Sequence, residues 1–471
     1  MRPSSSQMNL WPSYGLEINW DILFNSSKKG EAFQPPSSEL TAIGACYETE
    51  DHGFDGPLAT CVSPHMITGE IHDIFNSTWK ALGIPPRCDI NGGDLHGFAV
   101  QVVTQDGIAD VREDAARGYY YPFEDRTNLV AIVNTTGTRI IWSGDNKGKP
   151  VATGVEVVNQ AGEVSIINVD HEVILSAGAI RSPAILEHSG VGNPEILNDF
   201  SIPTTVDLPA VGENFQDQTT LGIVASFTKN YTGFPVFVAH ASLHDLFGNQ
   251  TSEIYHSTLA KIPEYAAQIA ASNRGASTAE TQESILRSQL ELLMYSNTPT
   301  SEIAPLPFGP ALATVFWPLQ PFSRGSVHIT NANASIPPAI DARFLSIDFD
   351  GKVAVATAKF VREFFTTAPV SSVIDEATIQ PSFELVPKDA SEEVWLEWIK
   401  ANGSLEANYH HLGTCAMLPK SMGGVVDNDF RVYGTENVRV VDMSVVPVQV
   451  AGHSESPIYD KSYITDSVPI T

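Results

Sequence analysis

Apolar residues recur at helical spacing over residues 65–82 (H-M-I-T-G-E-I-H-D-I-F-N-S-T-W-K-A-L), and Gly83 is placed to stop that helix. From 128 to 175 the period shortens. N-L-V-A-I-V, T-R-I-I-W, A-T-G-V-E-V-V, V-S-I-I-N-V and H-E-V-I-L predict short strands in a meander, with turns at Asp145-Asn146 and Gln160-Ala161-Gly162. Ser176-Ala177-Gly178 closes the last strand, and Ile180–His188 follows with a helical pattern. A strand, a small-residue turn and a helix in succession form the corner at which α/β sheets take nucleotides. Long helices are predicted over 253–297, rich in Ala, Glu, Gln and Leu, and over 352–366. Residues 313–330 read as strands, and R-V-V-D-M-S-V-V-P at 439–447 as a buried strand running into a loop. Residues 1–60 are turn-rich and fix no element. The order is α/β over 128–220 and 405–460 with an α+β block between, which suggests a nucleotide-binding domain interrupted by a substrate domain. A length of 471 residues fits about two to three domains, or two interleaved ones.

Composition narrows the partners. The 27 Lys and Arg against 55 Asp and Glu leave a formal charge of −28, which repels nucleic acid and anionic membrane surfaces. Neutral or cationic small molecules suit such a chain better than phosphorylated ones. No apolar run is long enough to cross a bilayer. The four cysteines, Cys46, Cys61, Cys88 and Cys415, show no C-x-x-C spacing, so neither a structural zinc nor a thioredoxin-like site is expected. Cys46 and Cys61 bracket a short Gly-rich loop and could form a disulfide, a pairing the sequence leaves open. Seven N-x-S/T sequons, at Asn25, Asn76, Asn134, Asn230, Asn249, Asn333 and Asn402, exceed the about three or four expected by chance and lean toward a secretory route. The opening M-R-P-S-S-S-Q-M-N-L-W carries no apolar signal-peptide core, so a cytoplasmic location stays open.

Chemistry collects in a few stretches. G-A-I-R-S-P-A-I-L-E-H-S-G-V-G at 178–192 has small residues that admit a ligand to the backbone, and Ser182-Pro183 pre-sets a first helical turn; a plain strand-to-helix connection explains it as well. P-A-V-G-E-N-F-Q-D-Q at 209–218 reads on its own as a polar turn. Asp442 ends an apolar strand, where Rossmann-like sheets place ligand-facing residues and where a capping aspartate would also sit. His453, in V-A-G-H-S-E-S, is a loop histidine of the kind that is usually just solvated. His410 and His411 are adjacent in A-N-Y-H-H-L-G-T-C; neighbours on a strand point to opposite faces, so joint metal ligation is awkward and no metal is expected. Trp317 and Phe322 serve a pocket or the core equally well.

In order and spacing these pieces resemble the glucose–methanol–choline (GMC) flavoenzyme family, in its fungal branch near glucose oxidase and the secondary-metabolism alcohol oxidases. The likeness begins at W-P-S-Y-G-L-E-I-N-W-D-I-L and K-K-G-E-A-F-Q-P-P and continues through D-G-P-L, R-E-D-A-A-R-G-Y-Y-Y-P and R-T-N-L. The 178–192 signature, V-G-E-N-F-Q-D-Q, P-F-S-R-G-S-V-H-I, N-Y-H-H-L-G-T-C-A-M and V-V-D-M-S-V-V-P follow, so it spans nearly the whole chain, from Trp11 to Tyr459. The resemblance implies an α/β fold with α+β: a Rossmann-like FAD-binding domain interrupted by a substrate domain with an antiparallel sheet and helices. It divides the chain into 1–127 (partial FAD-binding and lid region), 128–220 (middle part of the FAD-binding domain), 221–404 (substrate-binding domain) and 405–471 (C-terminal FAD-binding part with the catalytic histidines).

The implied activity is oxidation of a primary or secondary alcohol by hydride transfer to FAD at flavin N5. By motif the base falls on His410 and its partner on His453, which orients the hydroxyl or stabilises charge. A neutral imidazole, with its ordinary pKa of about 6.5, suits proton abstraction near neutral pH. His411 stands where relatives carry a small residue or proline and reads as structural. Cofactor contacts are implied at Asp442 and Met443 for the ribityl–pyrophosphate region, at His453 and Ser454 for the ring, and at Gly137 for the adenine. The partner is a small-molecule alcohol, with a homodimer left open and no nucleic acid or membrane span.

Two departures bear on the cofactor. No G-x-G-x-x-G occurs, and neither the ribose-binding acid nor the family's Gly-Gly-Ser-x-x-Asn stretch is present. The chain begins about a hundred residues into the family pattern, whose opening strand, turn and helix cradle the pyrophosphate. After Tyr459, D-K-S-Y-I-T-D-S-V-P-I-T is not helical where relatives have a closing helix. The expectation is a truncated chain that binds FAD poorly on its own and leaves an apolar face and a strand edge open. Competing readings are a GMC-fold cyclase or dehydratase using the same histidines for acid–base work only, and an inactive remnant.

Overall fold

The computed structural model describes residues 2–146, 148–401 and 405–459; the sequon at Asn402 and the chain after Tyr459 lie outside them. Its largest sheet is antiparallel and six-stranded. Ile374–Gln380, Thr219–Tyr231, Ser301–Pro318, Phe237–Ala241 and Gly97–Val100 lie side by side in that order, and Glu406–Ala407 adds to Thr219–Tyr231. Thr219–Tyr231 alternates buried and less buried positions over its first half, the signature of a sheet with one covered face. The cover includes the helix Asp348–Thr366, whose Phe364 stacks at 4.2 Å on Trp79 of the helix Ile71–Ala81. Trp79 and Phe364 are fully buried, and each large apolar side chain taken out of water stabilises the fold by about 1.5–3 kcal/mol.

A second region is built on the parallel pair Val173–Leu175 and Val438–Val440. Beside it runs the antiparallel meander Thr135–Asn146, Lys149–Asn159 and Val164–Asn168. Trp11, Leu186, Val440, Met443 and Val445 share the core that packs around this pair. The helices Thr251–Ser272 and Ala279–Tyr295 enclose a third core with Phe322 and Phe349. The fold is therefore mixed α/β with an α+β part, as the sequence implied.

Several elements differ from their sequence reading. The helix expected from 65 starts at Ile71. The strand expected from 313 starts at Ser301, its first half masked by Pro305, Pro307 and Pro310. Pairing with Phe237–Ala241 ends at Ile303 and pairing with Thr219–Tyr231 begins at Gly309, so Pro305 and Pro307 fall between two ladders and remove no bond from either. The strand expected over 128–133 does not form: Val130, Ile132 and Val133 are 76%, 57% and 74% exposed. Alternation alone does not make a strand without a neighbour to take its N–H and C=O groups. The meander's first strand runs on through Asp145-Asn146 rather than turning there. The 439–447 stretch is a strand only to Val440, after which Asp442 caps a short turn of helix, Met443–Val445. Cys46 pairs with Cys88, not Cys61, which is free and buried with Cys415. Phe322 belongs to the core, fully buried against Phe349 at 4.7 Å.

The glycine-rich helix begins at Gly178, two residues before its expected start, so Ser182 and Pro183 sit in its second turn. Pro183 has no N–H for the carbonyl of Ala179. That carbonyl instead accepts a hydrogen bond from Thr414 Oγ1 at 2.6 Å.

Candidate active site

His410 is set by two antiparallel stretches. Thr219 and Thr220 pair with Ala407 and Glu406, and Gln216 and Leu412 exchange backbone hydrogen bonds at 3.1 and 2.9 Å. Between these two links the chain bulges, and Tyr409 takes the left-handed conformation at φ 59. The Asp217 carboxylate holds the bulge, accepting the backbone N–H of His410 at 3.0 Å and that of Gln218 at 2.8 Å. Burial pushes the Asp217 carboxyl up to about 6, against the lowering effect of these N–H donors. The imidazole then lies with Nδ1 2.7 Å from Gln218 Oε1 and 3.1 Å from Asn408 Nδ2.

His453 arrives from the other side, on the loop after the turn Met443–Val445. That loop is fastened by buried glutamines: Gln216 Nε2 donates to Pro447 O, Gln216 Oε1 accepts from Gln449 N, and Gln7 Oε1 accepts from Ala451 N. The His410 and His453 rings stand 5.2 Å apart, with Trp317 6.3 and 6.0 Å from them. So Trp317 lies beside the histidines, whereas Phe322 does not.

Behind His453 stands a buried carboxylate. Glu302 accepts from His453 Nε2 at 2.7 Å, and His240 Nε2 lies 3.3 Å from its other oxygen. His240 and Glu302 are direct cross-strand partners, which fixes their approach. Burial alone would raise the Glu302 carboxyl, but the His453 charge and the contacts to both histidines outweigh it and hold it well below the usual range. Burial pushes His410 the other way, down to about 4, and the nearby His453 adds to the effect. The site thus places an uncharged imidazole opposite one that is backed by an anion. Such a pair can accept a proton on one ring while holding a developing negative oxygen with the other.

His411 turns away from this pair, its ring facing Phe215 at 6.2 Å, and burial lowers its pKa too. Asp442 points inward, accepting from Gly178 N at 2.9 Å, Ser182 Oγ at 2.5 Å and Ser444 N at 2.8 Å. Its side chain thereby bolts the ends of the two parallel strands together at one corner. Met443 is buried in the core of that region. Ser454 follows His453 in a bend, just before a helical turn at 455–459. Gly137 lies exposed in the meander, paired with Val157, in a sheet to which neither histidine belongs. Sequence reading missed Asp217, Gln218, His240, Glu302 and Asn408, and also Gln101, whose Nε2 lies 3.5 Å from His453 Nδ1. Glu302 was the findable one, a lone carboxylate beside Ile303.

The fold is that of the FAD-dependent oxidoreductases. Two GMC oxidoreductase family models match, one over residues 1–220 and one over 321–460. The glucose oxidase-like protein fsoC of Humicola fuscoatra is 37% identical over 98% of this chain and 78% of its own length. A glucose oxidase of Aspergillus carbonarius is 32% identical over 97% and 75%. In three dimensions the chain superposes on an FAD-dependent oxidoreductase from Chaetomium thermophilum (TM-score 0.88, 24% identity, 99% of this chain and 83% of that one). A fungal aryl-alcohol oxidase follows with a TM-score of 0.86 at 24% identity, covering 100% of this chain and 83% of its own. The chain belongs to the GMC oxidoreductase family.

FAD is the cofactor of this family, and the residues present fit it in part. The ends of the adjacent parallel strands, Leu175 and Val440, open on one corner, where Gly178 at φ +78 leaves free space on its Cβ side. That is where an α/β sheet receives a ligand. A G-x-G-x-x-G pyrophosphate cradle is not among the residues of this sequence. Among the described residues no helix is long and apolar enough to cross a membrane.

Proposed function

We propose that the chain oxidises a primary or secondary alcohol with His410 as the base and His453 as its partner. The observation that carries this reading is the pair itself: an imidazole held neutral down to a pH of about 4, 5.2 Å from one that donates to the buried Glu302. The alcohol gives its hydroxyl proton to His410 and its α-hydrogen, with two electrons, as hydride, and becomes a carbonyl compound. FAD, when bound, supplies the hydride acceptor. His453 holds the oxygen as negative charge gathers on it, and Trp317 walls the site against water. Backbone at Asp442 and Met443, and the residues His453 and Ser454, are the cofactor contacts in this reading, with Gly137 toward the adenine. The same reading divides the chain at 221 and 404 into FAD-binding and substrate-binding parts; the strand Gly97–Val100 crosses into the substrate-side sheet.

The test is anaerobic mixing of FAD-reconstituted protein with primary and secondary alcohols, aryl alcohols and sugars among them. Bleaching of the flavin absorbance is expected with at least one alcohol. His410→Ala slows bleaching by about 10²- to 10⁴-fold. Bleaching at the wild-type rate in that variant removes His410 from the role of base.

A further inference from the structure

The Q-D-Q stretch that reads as a polar turn in the sequence faces His410 with two consecutive side chains doing different work. Asp217 takes the backbone N–H of His410, as described. Gln218, fully buried, takes the ring. Its amide is oriented without ambiguity: Nε2 donates to two main-chain carbonyls, Leu319 O at 3.0 Å and Val450 O at 3.3 Å. A flipped amide would set Oε1 against both carbonyls, acceptor against acceptor. Oε1 therefore points at His410 Nδ1, 2.7 Å away. Two lone pairs cannot face each other at that distance, so a proton lies between them, and it can only belong to the histidine. Asn408 Nδ2, 3.1 Å from Nδ1 and 3.3 Å from Gln218 Oε1, is then a second donor to the same oxygen rather than a donor to the ring.

We propose that Gln218 is a positioning residue that locks His410 in the Nδ1–H tautomer, leaving Nε2 as the bare nitrogen that accepts the substrate proton. The tautomer of a neutral histidine is set by the hydrogen bond its other nitrogen makes. The wrong tautomer presents an N–H where a lone pair is required, so it binds the alcohol but cannot deprotonate it. The catalytic meaning of the lock rests on the reading of His410 as base; the tautomer itself does not.

The experiment is NMR of the protein labelled with ¹⁵N-histidine, near pH 7, where ring ¹⁵N shifts and couplings distinguish the two neutral tautomers. The His410 signal is assigned by its loss in His410→Asn. Wild type is expected to show Nδ1–H, with or without FAD; Nε2–H in wild type overturns the proposal and needs no further variant. Gln218→Leu is expected to move His410 toward Nε2–H and to lower kcat about 10- to 100-fold with little change in KM, whereas Gln218→Glu keeps the acceptor and the tautomer. An unchanged tautomer and kcat in Gln218→Leu likewise overturn it. Nδ1–H in wild type with full turnover in His410→Ala would instead leave the lock standing and remove the proposed function.

Discussion

Protonating His410 means placing a charge in a buried site beside His453, which is why its pKa falls to about 4. The groups facing it are His453, Glu302, His411 and the Asp217 carboxylate. The acid limb of the kcat/KM profile is therefore expected near 4. A shoulder near 6 is expected from Asp217, whose protonation loosens the bulge at Tyr409. Asp217→Asn removes the shoulder and leaves the limb; a profile with a single limb near 6.5 would contradict both assignments. Glu302→Gln takes the anion from between two histidines. A loss of about 1–3 kcal/mol in unfolding free energy and at least a tenfold lower kcat are expected, from denaturation curves and steady-state rates. The family resemblance implied His410 and His453 as partners, and their rings do stand 5.2 Å apart; read from its own stretch, His453 was only a solvated loop histidine. Gln218 and Asp217 were not legible: their meaning lies in what the 406–412 stretch brings opposite them, and a short polar run gives no sign of its partner.

Three elements meet at His328. Its Nδ1 lies 2.7 Å from Glu187 of the helix Gly178–His188, and its Nε2 3.0 Å from Glu213 of the strand Glu213–Phe215. Burial disfavours its charge, but the hydrogen bonds to the two carboxylates outweigh this and raise its pKa to about 9. A raised histidine stabilises the fold fully below its unfolded value, about 6.5, and the contribution drains away as pH climbs to about 9; the shift corresponds to about 3 kcal/mol. Urea unfolding across that window should show the decline in wild type and not in His328→Leu. At this scale the sequence was a good guide where an element carries its own period, as in Asp348–Thr366. It failed where an element depends on neighbours. Ser301–Pro318 forms despite its prolines because two other strands hold its ends, and 128–133 stays irregular and exposed despite its alternation because no described strand lies beside it.

For the molecule as a whole, the Cys46–Cys88 bridge closes a span of 42 positions that includes Leu58–Cys61, the partner of Glu31–Gln34, and the helix Ile71–Ala81. Cys88→Ser is expected to lower unfolding stability by about 2–4 kcal/mol and to lower the melting temperature, while Cys61→Ser leaves the bridge intact by mass spectrometry. The sequence showed four cysteines but not their pairing, because proximity across such a span is a property of the finished fold. Time enters through the fastening of the His453 loop. Gln7 Oε1 accepts its hydrogen bond from Ala451 across 444 positions. At a ribosomal pace of about 5–20 residues per second, the N-terminal segment with Met8 and Trp11 waits about 20–90 s for the residues that bury it. The histidine pair thus cannot form until Ala451 and His453 have been made, and until then a nascent chain presents those apolar side chains to chaperones.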